Sequence, residues 1–372
     1  MQIVSQHKGI TVIVVLDSNI FVRDFKLNSS TFKALFSGLS RTEYSLSIPK
    51  MVLDETINKY GEKFEKQSHH FRRLGLQHIQ FITGEEITRR EDAERVYRNY
   101  IERTLSDVNA TIVSIPDIDH SQLIERALKR KKPFRGTDTG GYRDTLVWMT
   151  VVQLALENDS VALVTNNSKD FCDQSDKEKL HKDLLQDITN LGEDAGEVIF
   201  YLNLNSFVAE HIAPALERLD SFKIEIENDE FPGFTLPDIL INYFSYDLDG
   251  AELELLDSNL PLSFENPAIS AIEDVFDIRD VDVRQLSPDE IYITFTADVE
   301  CSFTFFIDKL ESVWYGELKI EIWDSDWNKY YMLANAIAPA EISISFTYNT
   351  NSGEITSARF TSFHVDESIL GY

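Results

Sequence analysis

The sequence is poor in the features that mark several common protein classes. Its 372 residues include only two cysteines, Cys172 and Cys301, far apart in the chain. That excludes a disulfide scaffold and a cysteine zinc site, and it fits a reducing cytoplasm. No uninterrupted apolar run approaches the roughly 18–20 residues of a membrane span. The apolar opening ITVIVVLD ends in a carboxylate. It follows no basic stretch and precedes no small-residue cleavage site, so it does not read as a signal peptide. The chain also lacks GxxxxGK[ST], a GxGxxG after a strand, and a GxSxG elbow, which removes the commonest nucleotide-binding and serine-hydrolase readings. Positive charge is scarce in one half only. Residues 201–372 hold 8 Lys/Arg against 33 Asp/Glu, a net of −25. Residues 1–200 hold 27 against 30, a net of −3 within the total of −28.

What is present suits a globular protein, with 43% hydrophobic and 26% charged residues. The length predicts two domains. The first half also carries a basic cluster, Lys129, Arg130, Lys131, Lys132 and Arg135, with Arg143 close behind. Phosphate contact is therefore open to the first half and implausible for the second.

Local pattern predicts a buried strand at Val12–Leu16, ending at Asp17, and a capped helix in TFKALFSGLS after Asn28–Ser30. YSLSI alternates like a strand, and Pro49 suits the start of a long helix through MVLDETINKYGEKFEK. A polar, mostly helical insertion covers about 60–132, broken at Gly84 and at SIPDID. Tyr142–Glu157 reads as a helix and Val161–Val164 as a second buried strand. LHKDLLQDITNL reads as a helix, VIFYLN as a strand, and NSFVAEHIAPALERL as a closing helix. Alternating strands and helices predict an α/β, three-layer domain over residues 10–220 with a central, mostly parallel sheet. Ligands of such sheets bind at the carboxyl ends of the strands, which puts Asp17 and Asp170 on one rim. From about residue 232 to 372 the runs LPDILINYFSYDLDG, EIYITFTADVECSFTFFI, GELKIEIWD and AEISISFTYNTNSGEITSARFTSF predict an antiparallel β-rich domain, with a hairpin at TYNTNSGEIT.

Four acids are placed for shared work: Asp17 in LDSNIF, Glu55 in IPKMVLDET, Asp144 in GYRDTLVW and Asp170 in VTNNSKDF. Hard divalent cations need converging carboxylate oxygens, and phosphodiester hydrolysis uses such cations. A lone Asp after a strand is more often a cap or turn residue. Together, in this order, the segments resemble the PIN family of nucleases. LDSNIF resembles its opening Asp-[Thr/Ser]-Asn motif, and IPKMVLDET its Pro-to-Glu helix. VTNNSKDF is similar to its Thr-Asn-Asn/Asp-x-x-[Asp/Glu]-Phe motif, and GYRDTLVWMTVVQLA to the helix of its third acid. KKPFRG, GYRDTLVW and LHKDLLQDI further resemble a bacterial subgroup with an uncharacterised C-terminal extension. The resemblance covers roughly residues 10–205.

The resemblance implies a Mg²⁺- or Mn²⁺-dependent endoribonuclease, with Asp17, Glu55, Asp144 and Asp170 as metal ligands. Asn19 would brace the first motif, and Thr165 and Asn167 would shape the loop before Asp170. Asp54 and Asp138 are alternative ligands, and Asp170 could act indirectly. Arg130, Lys131, Lys132, Arg135 and Arg143 are candidates for the nucleic-acid backbone, against the plain reading of a solvated helix end. Arg72-Arg73, Arg89-Arg90 and His69-His70 read as solvated surface. Asp107, Asp117 and Asp119 read as turn residues, and Thr139-Gly140-Gly141 as a flexible helix start. Trp314, Trp323 and Trp327 read as core of the β domain.

The implied partner is nucleic acid, RNA first, with no membrane; a homodimer stays open. So does a toxin-like or defence role. The rival functions are a PIN-like binding module without catalysis and a structure-specific DNA nuclease. Two readings stand for the acidic domain: a solubilising or protein-binding unit, or a nucleic-acid mimic that shields the nuclease.

Overall fold

The computed structural model describes residues 12–73, 89–134, 141–173, 176–177, 179–192, 195–243, 251–252, 257–260, 264–309 and 318–370. The chain divides into two compact units. One comprises Met1–Leu27 and Gly38–Ile212, the other Asn28–Ser37 and Ala213–Tyr372.

The first unit opens with β1 (Val12–Leu16) and the short helix α1 (Ser18–Arg23). Helix α2 (Ser30–Leu39) follows and belongs mainly to the second unit. The first unit resumes with β2 (Tyr44–Pro49), the long α3 (Lys50–Arg73), α4 (Arg90–Asp107), β3 (Thr111–Val113) and α5 (His120–Leu128). It continues through α6 (Tyr142–Glu157), β4 (Ser160–Val164), α7 (Ser168–Phe171), α8 (Lys182–Thr189), β5 (Glu197–Tyr201) and α9 (Leu204–Phe207). The five strands form one parallel sheet in the order β3-β2-β1-β4-β5, flanked by helices.

The two central strands are the most apolar, because strands covered on both faces need no alternation. Val14, Val15, Leu16 and Val161–Val164 are wholly buried. The short edge strand β3 has Thr111 and Ile112 exposed, and its alternation was too brief to be read from sequence. In the helical insertion, Tyr60 of α3 stacks on Tyr97 of α4 with ring centroids 4.1 Å apart, and Phe25 meets both edge-on.

The predicted closing helix over 205–219 is not continuous. After α9 the chain makes a π turn at Val208–Ile212 and a 3₁₀ turn at Ala213–Ala215, then enters β6 (Glu217–Arg218). Pro214 explains the break, since it has no N–H to continue a helical ladder.

The second unit continues with α10 (Asp220–Glu227), α11 (Leu236–Asp238), β7 (Ala251–Glu252), β8 (Asp257–Ser258) and β9 (Glu265–Ser287). It ends with β10 (Glu290–Asp308), β11 (Ile320–Asp324), β12 (Tyr331–Asn349), β13 (Glu354–Val365) and α12 (Glu367–Leu370). The strands form an eight-stranded sheet along the path β6-β9-β10-β12-β13-β8, with β11 on β12 and β7 on β9. Pairing is antiparallel except for the short β8–β13 contact. The start of LPDILINY is helical rather than extended. Thr235 caps it, its hydroxyl accepting the Asp238 N–H at 3.3 Å, and Pro237 suits the first turn.

Alternate residues of β10 and β12 build one core, including Ile293, Phe295, Phe303, Phe305, Ile342, Ile344 and Phe346. The opposite face of the sheet is polar, and α2 lies on it. Ser30 Oγ meets Ser345 Oγ at 2.7 Å, and the Lys33 ammonium donates to Glu290 at 2.5 Å and to Thr356 at 2.8 Å. The Ser37 hydroxyl donates to the Leu286 carbonyl at 2.8 Å. Two tryptophans read as core are not core. Trp323 and Trp327 are 54% and 52% exposed: Trp323 lies on β11, a short strand paired with β12, and Trp327 lies in the loop that follows it. Trp314 lies outside the described residues.

Candidate functional site

Sheet register builds the centre of the site. Leu16 pairs with Val164, so the residues that follow, Asp17 and Thr165, leave neighbouring parallel strands side by side. The Asp17 N–H continues the ladder to the Val164 carbonyl at 3.0 Å. The buried Thr165 hydroxyl donates to Asp17 Oδ2 at 2.6 Å. Asn19, the second residue of α1, donates from Nδ2 to the same oxygen at 2.7 Å and to Thr165 Oγ1 at 2.9 Å. Its Oδ1 accepts the Asn166 N–H at 2.9 Å, which fastens the loop after β4 to α1. The other Asp17 oxygen caps α1, accepting the Ser18 N–H at 2.7 Å.

The remaining acids arrive on helices. Asn167 holds two of them, its Nδ2 donating to Asp144 Oδ1 at 3.0 Å and to Asp170 Oδ2 at 2.8 Å. Asp144 lies in the first turn of α6, and Asp170 in α7, where it is buried. Glu55 projects from α3. Its Oε2 accepts the Ser18 hydroxyl at 3.1 Å and its Oε1 pairs with the Arg143 guanidinium. The start of α6 requires glycine at 141, while Thr139 and Gly140 lie outside the described residues. Gly141 has φ +93°, and a Cβ there would stand 2.3 Å from the Pro133 carbonyl oxygen.

The carboxylates act on one another. Burial pushes Asp17 up to about 6; the Thr165 hydrogen bond opposes this, and Asp144 and Glu55 reinforce it. Asp144 is also raised, by burial first and then by Asp170, with the Asn167 hydrogen bond opposing and Glu55 adding. Carboxylates that repel one another in a partly dry site are the kind of donor whose charge a hard cation would neutralise. As they stand they are paired off by their own partners. Among the described residues, no three His, Cys, Asp or Glu side chains are gathered as a ready cation site.

Asp54, next to Glu55, is engaged elsewhere. Its carboxylate takes Lys50 and Arg98, each at 3.0 Å. Burial acts to raise its pKa, but those two cations prevail and hold it low. Adjacent helical residues point about 100° apart, which separates the two acids. Asp138 and Arg135 lie outside the described residues, as do Gly84 and the side chains of His69, His70, Arg72 and Arg73.

The basic cluster is only partly free. Lys129 ends α5 paired with Glu125, and the Lys132 ammonium donates to the Lys169 carbonyl at 2.5 Å, beside Asp170. Arg130 is exposed and Lys131 half-buried. Arg89 and Arg90 are taken by Asp92 and Glu94 at 2.8 and 2.7 Å. Asp119 caps α5, accepting the Ser121 N–H at 2.9 Å. Cys172 and Cys301 are free and buried. Ser18, the partner of Glu55, was not singled out from sequence. A serine between Asp17 and Asn19 reads only as part of a motif, and its contact 37 positions away is set by where α3 lies.

The family model for the PIN domain matches residues 14–171. That span contains Asp17, Glu55, Asp144 and Asp170 and most of the parallel sheet. Residues 14–171, under half of the chain, are PIN-like in sequence and in their parallel α/β sheet. PIN domains are in general nucleases, hydrolases that bind nucleic acid and typically use divalent metal ions. No curated protein and no solved structure matches the chain. No helix among the described residues is long and apolar enough to cross a membrane.

Proposed function

We propose that this chain is a Mg²⁺- or Mn²⁺-dependent endoribonuclease, with Asp17, Glu55, Asp144 and Asp170 holding the metal. One observation carries the reading. A buried aspartate, pushed up to about 6 by burial and further by Asp144 and Glu55, is held in place by dedicated donors on Asn19 and Thr165. Burying the Asp17 charge in such company costs stability, and a module that only binds nucleic acid has no use for the arrangement.

The donor set is all oxygen and all carboxylate, which suits a hard cation and not zinc. When bound, such a cation supplies charge neutralisation and Lewis acidity for phosphodiester hydrolysis. The protein's own residues do the orienting. Thr165 and Asn19 fix Asp17 Oδ2, Asn167 spans Asp144 and Asp170, and Ser18 steadies Glu55. Arg143 and the exposed Arg130 would meet the substrate backbone, together with Lys131, Lys132 and Arg135 of the basic stretch.

Purified intact chain with Mn²⁺ should cut a labelled structured RNA and leave a DNA of the same sequence intact. EDTA, Asp17→Asn and Asp144→Asn should each abolish the cleavage. Cutting of the DNA alone would make this a DNA nuclease. Tight Mn²⁺ binding with no turnover on either polymer would make it a binding module. A toxin-like or defence role predicts that induced expression arrests bacterial growth and that Asp17→Asn relieves the arrest.

A further inference from the structure

Glu55 is bound to a cationic side chain, and that side chain belongs to the residue next to Asp144. Arg143 and Asp144 are consecutive in the first turn of α6, so one helix start supplies both a proposed ligand and the counter-ion of another. The two partners are unequally placed. The Glu55 side chain is 15% exposed and that of Arg143 is 54% exposed. Its carboxylate is also tied at Oε2 by Ser18, leaving Oε1 to the guanidinium. Glu55 is the fixed member and Arg143 the one with room to move.

A second buried-acid pair in the same unit shows what a structural arginine looks like here. The Arg126 side chain is 6% exposed; it reaches Asp187 at 2.6 Å and donates from Nε to the Lys132 carbonyl at 2.9 Å. Asp187 also accepts from Trp148 Nε1 at 2.9 Å. Arg126 is locked on several sides, whereas Arg143 is bonded to Glu55 from a side chain that is more than half exposed.

We propose that Arg143 is an exchangeable counter-ion: it neutralises Glu55 in the metal-free protein and transfers to a backbone phosphate of the substrate when a divalent cation takes Glu55. This rests on the metal-nuclease reading and adds to it a coupling between cation and substrate. A guanidinium suits both roles, since its donors match carboxylate and phosphate oxygens alike. Metal and Arg143 compete for Glu55 Oε1, so the cation frees the arginine and a phosphate that captures the arginine frees the glutamate. Each ligand then favours the other by the same factor. The metal-free enzyme would hold RNA weakly, and RNA would recruit the metal that cuts it.

The test uses the intact chain and Mn²⁺ alone, followed by calorimetry, in wild type, Arg143→Gln and Arg143→Lys. Losing one partly exposed pair and one nearby positive charge should tighten Mn²⁺ binding roughly three- to ten-fold in R143Q. R143K, which keeps a charge but loses the fork, should fall between. A non-cleavable 2′-O-methyl RNA, read by fluorescence anisotropy, supplies the second readout. Mn²⁺ should strengthen its binding to wild type, and that enhancement should shrink at least three-fold in R143Q. Unchanged or weaker Mn²⁺ binding by R143Q, with wild type binding normally, would overturn the exchange and leave the metal site standing. Absence of Mn²⁺ binding in all three proteins would overturn both.

Discussion

The Thr165 hydroxyl donates to Asp17 Oδ2 at 2.6 Å across 148 positions of sequence. The same oxygen of Thr165 accepts from Asn19 Nδ2 at 2.9 Å and from the Asn167 N–H at 3.0 Å. One buried hydroxyl thus joins the first acid, the asparagine that braces it, and the loop that carries Asn167.

Replacing that hydroxyl by a methyl group should therefore be felt at both ends. Thr165→Val keeps the shape but leaves a buried carboxylate and two partly buried donors each short of a partner. Unmet buried groups of this kind cost about 1–3 kcal/mol each, so a loss of about 2–3 kcal/mol is expected after relaxation. The hydrogen bond lowers the Asp17 pKa, so its removal should raise that pKa above about 6. Denaturant melts and a carbonyl NMR titration would check the two effects. A variant unchanged in both would show that Thr165 does not hold Asp17.

The raised pKa of Asp17 makes the metal-free protein sensitive to pH. Asp17 moves from an ordinary 3.8 to about 6 on folding. Between those values the folded state keeps a proton that the unfolded chain releases. The stabilising contribution is therefore full below about pH 4 and is lost as pH rises through 6. A shift of that size corresponds to about 3 kcal/mol. Asp17→Asn should accordingly stabilise the metal-free protein at pH 7.5 while destroying activity, and the difference should close towards pH 4. A variant less stable than wild type at pH 7.5 in EDTA would contradict this.

Much of the first unit could be read from residue pattern, because its strands are short, apolar and buried on both faces. Asp17 and Asp170 follow β1 and β4 closely, so their shared rim follows from parallel pairing. The pairing of Arg143 with Glu55 could not be read, since it depends on how far α3 reaches past the sheet. The second unit was less legible. Thr235 and Pro237 start a helix where alternation suggested a strand, and the acidic stretch of β9 lacks a clean apolar rhythm. Trp323 and Trp327 show the limit most plainly, since aromatic content says nothing of which strand lies at an edge.

The discontinuous second unit carries its own consequence. Residues 28–37 fall inside the PIN match, yet Ser30 and Lys33 are bonded to the polar face of the C-terminal sheet. A fragment ending at Ile212 strips α2 of Ser345, Glu290 and Thr356. It should lose cooperative unfolding, and Ser30→Ala in the intact chain should cost about 1 kcal/mol. A fragment that melts as sharply and as high as the whole chain would contradict this. Whether the acidic unit shields the nuclease is therefore better asked by neutralising its exposed Asp and Glu than by deletion.

In the proposed site, four carboxylates from separate segments share one divalent metal. Crystals grown with Mn²⁺, measured at the manganese edge, test it most directly. The expected result is an anomalous peak ligated by Asp17 and Asp144, with Glu55 and Asp170 in or against its shell and Arg143 displaced from Glu55. A strong peak elsewhere, or none at Mn²⁺ concentrations that saturate the protein in solution, would contradict the account.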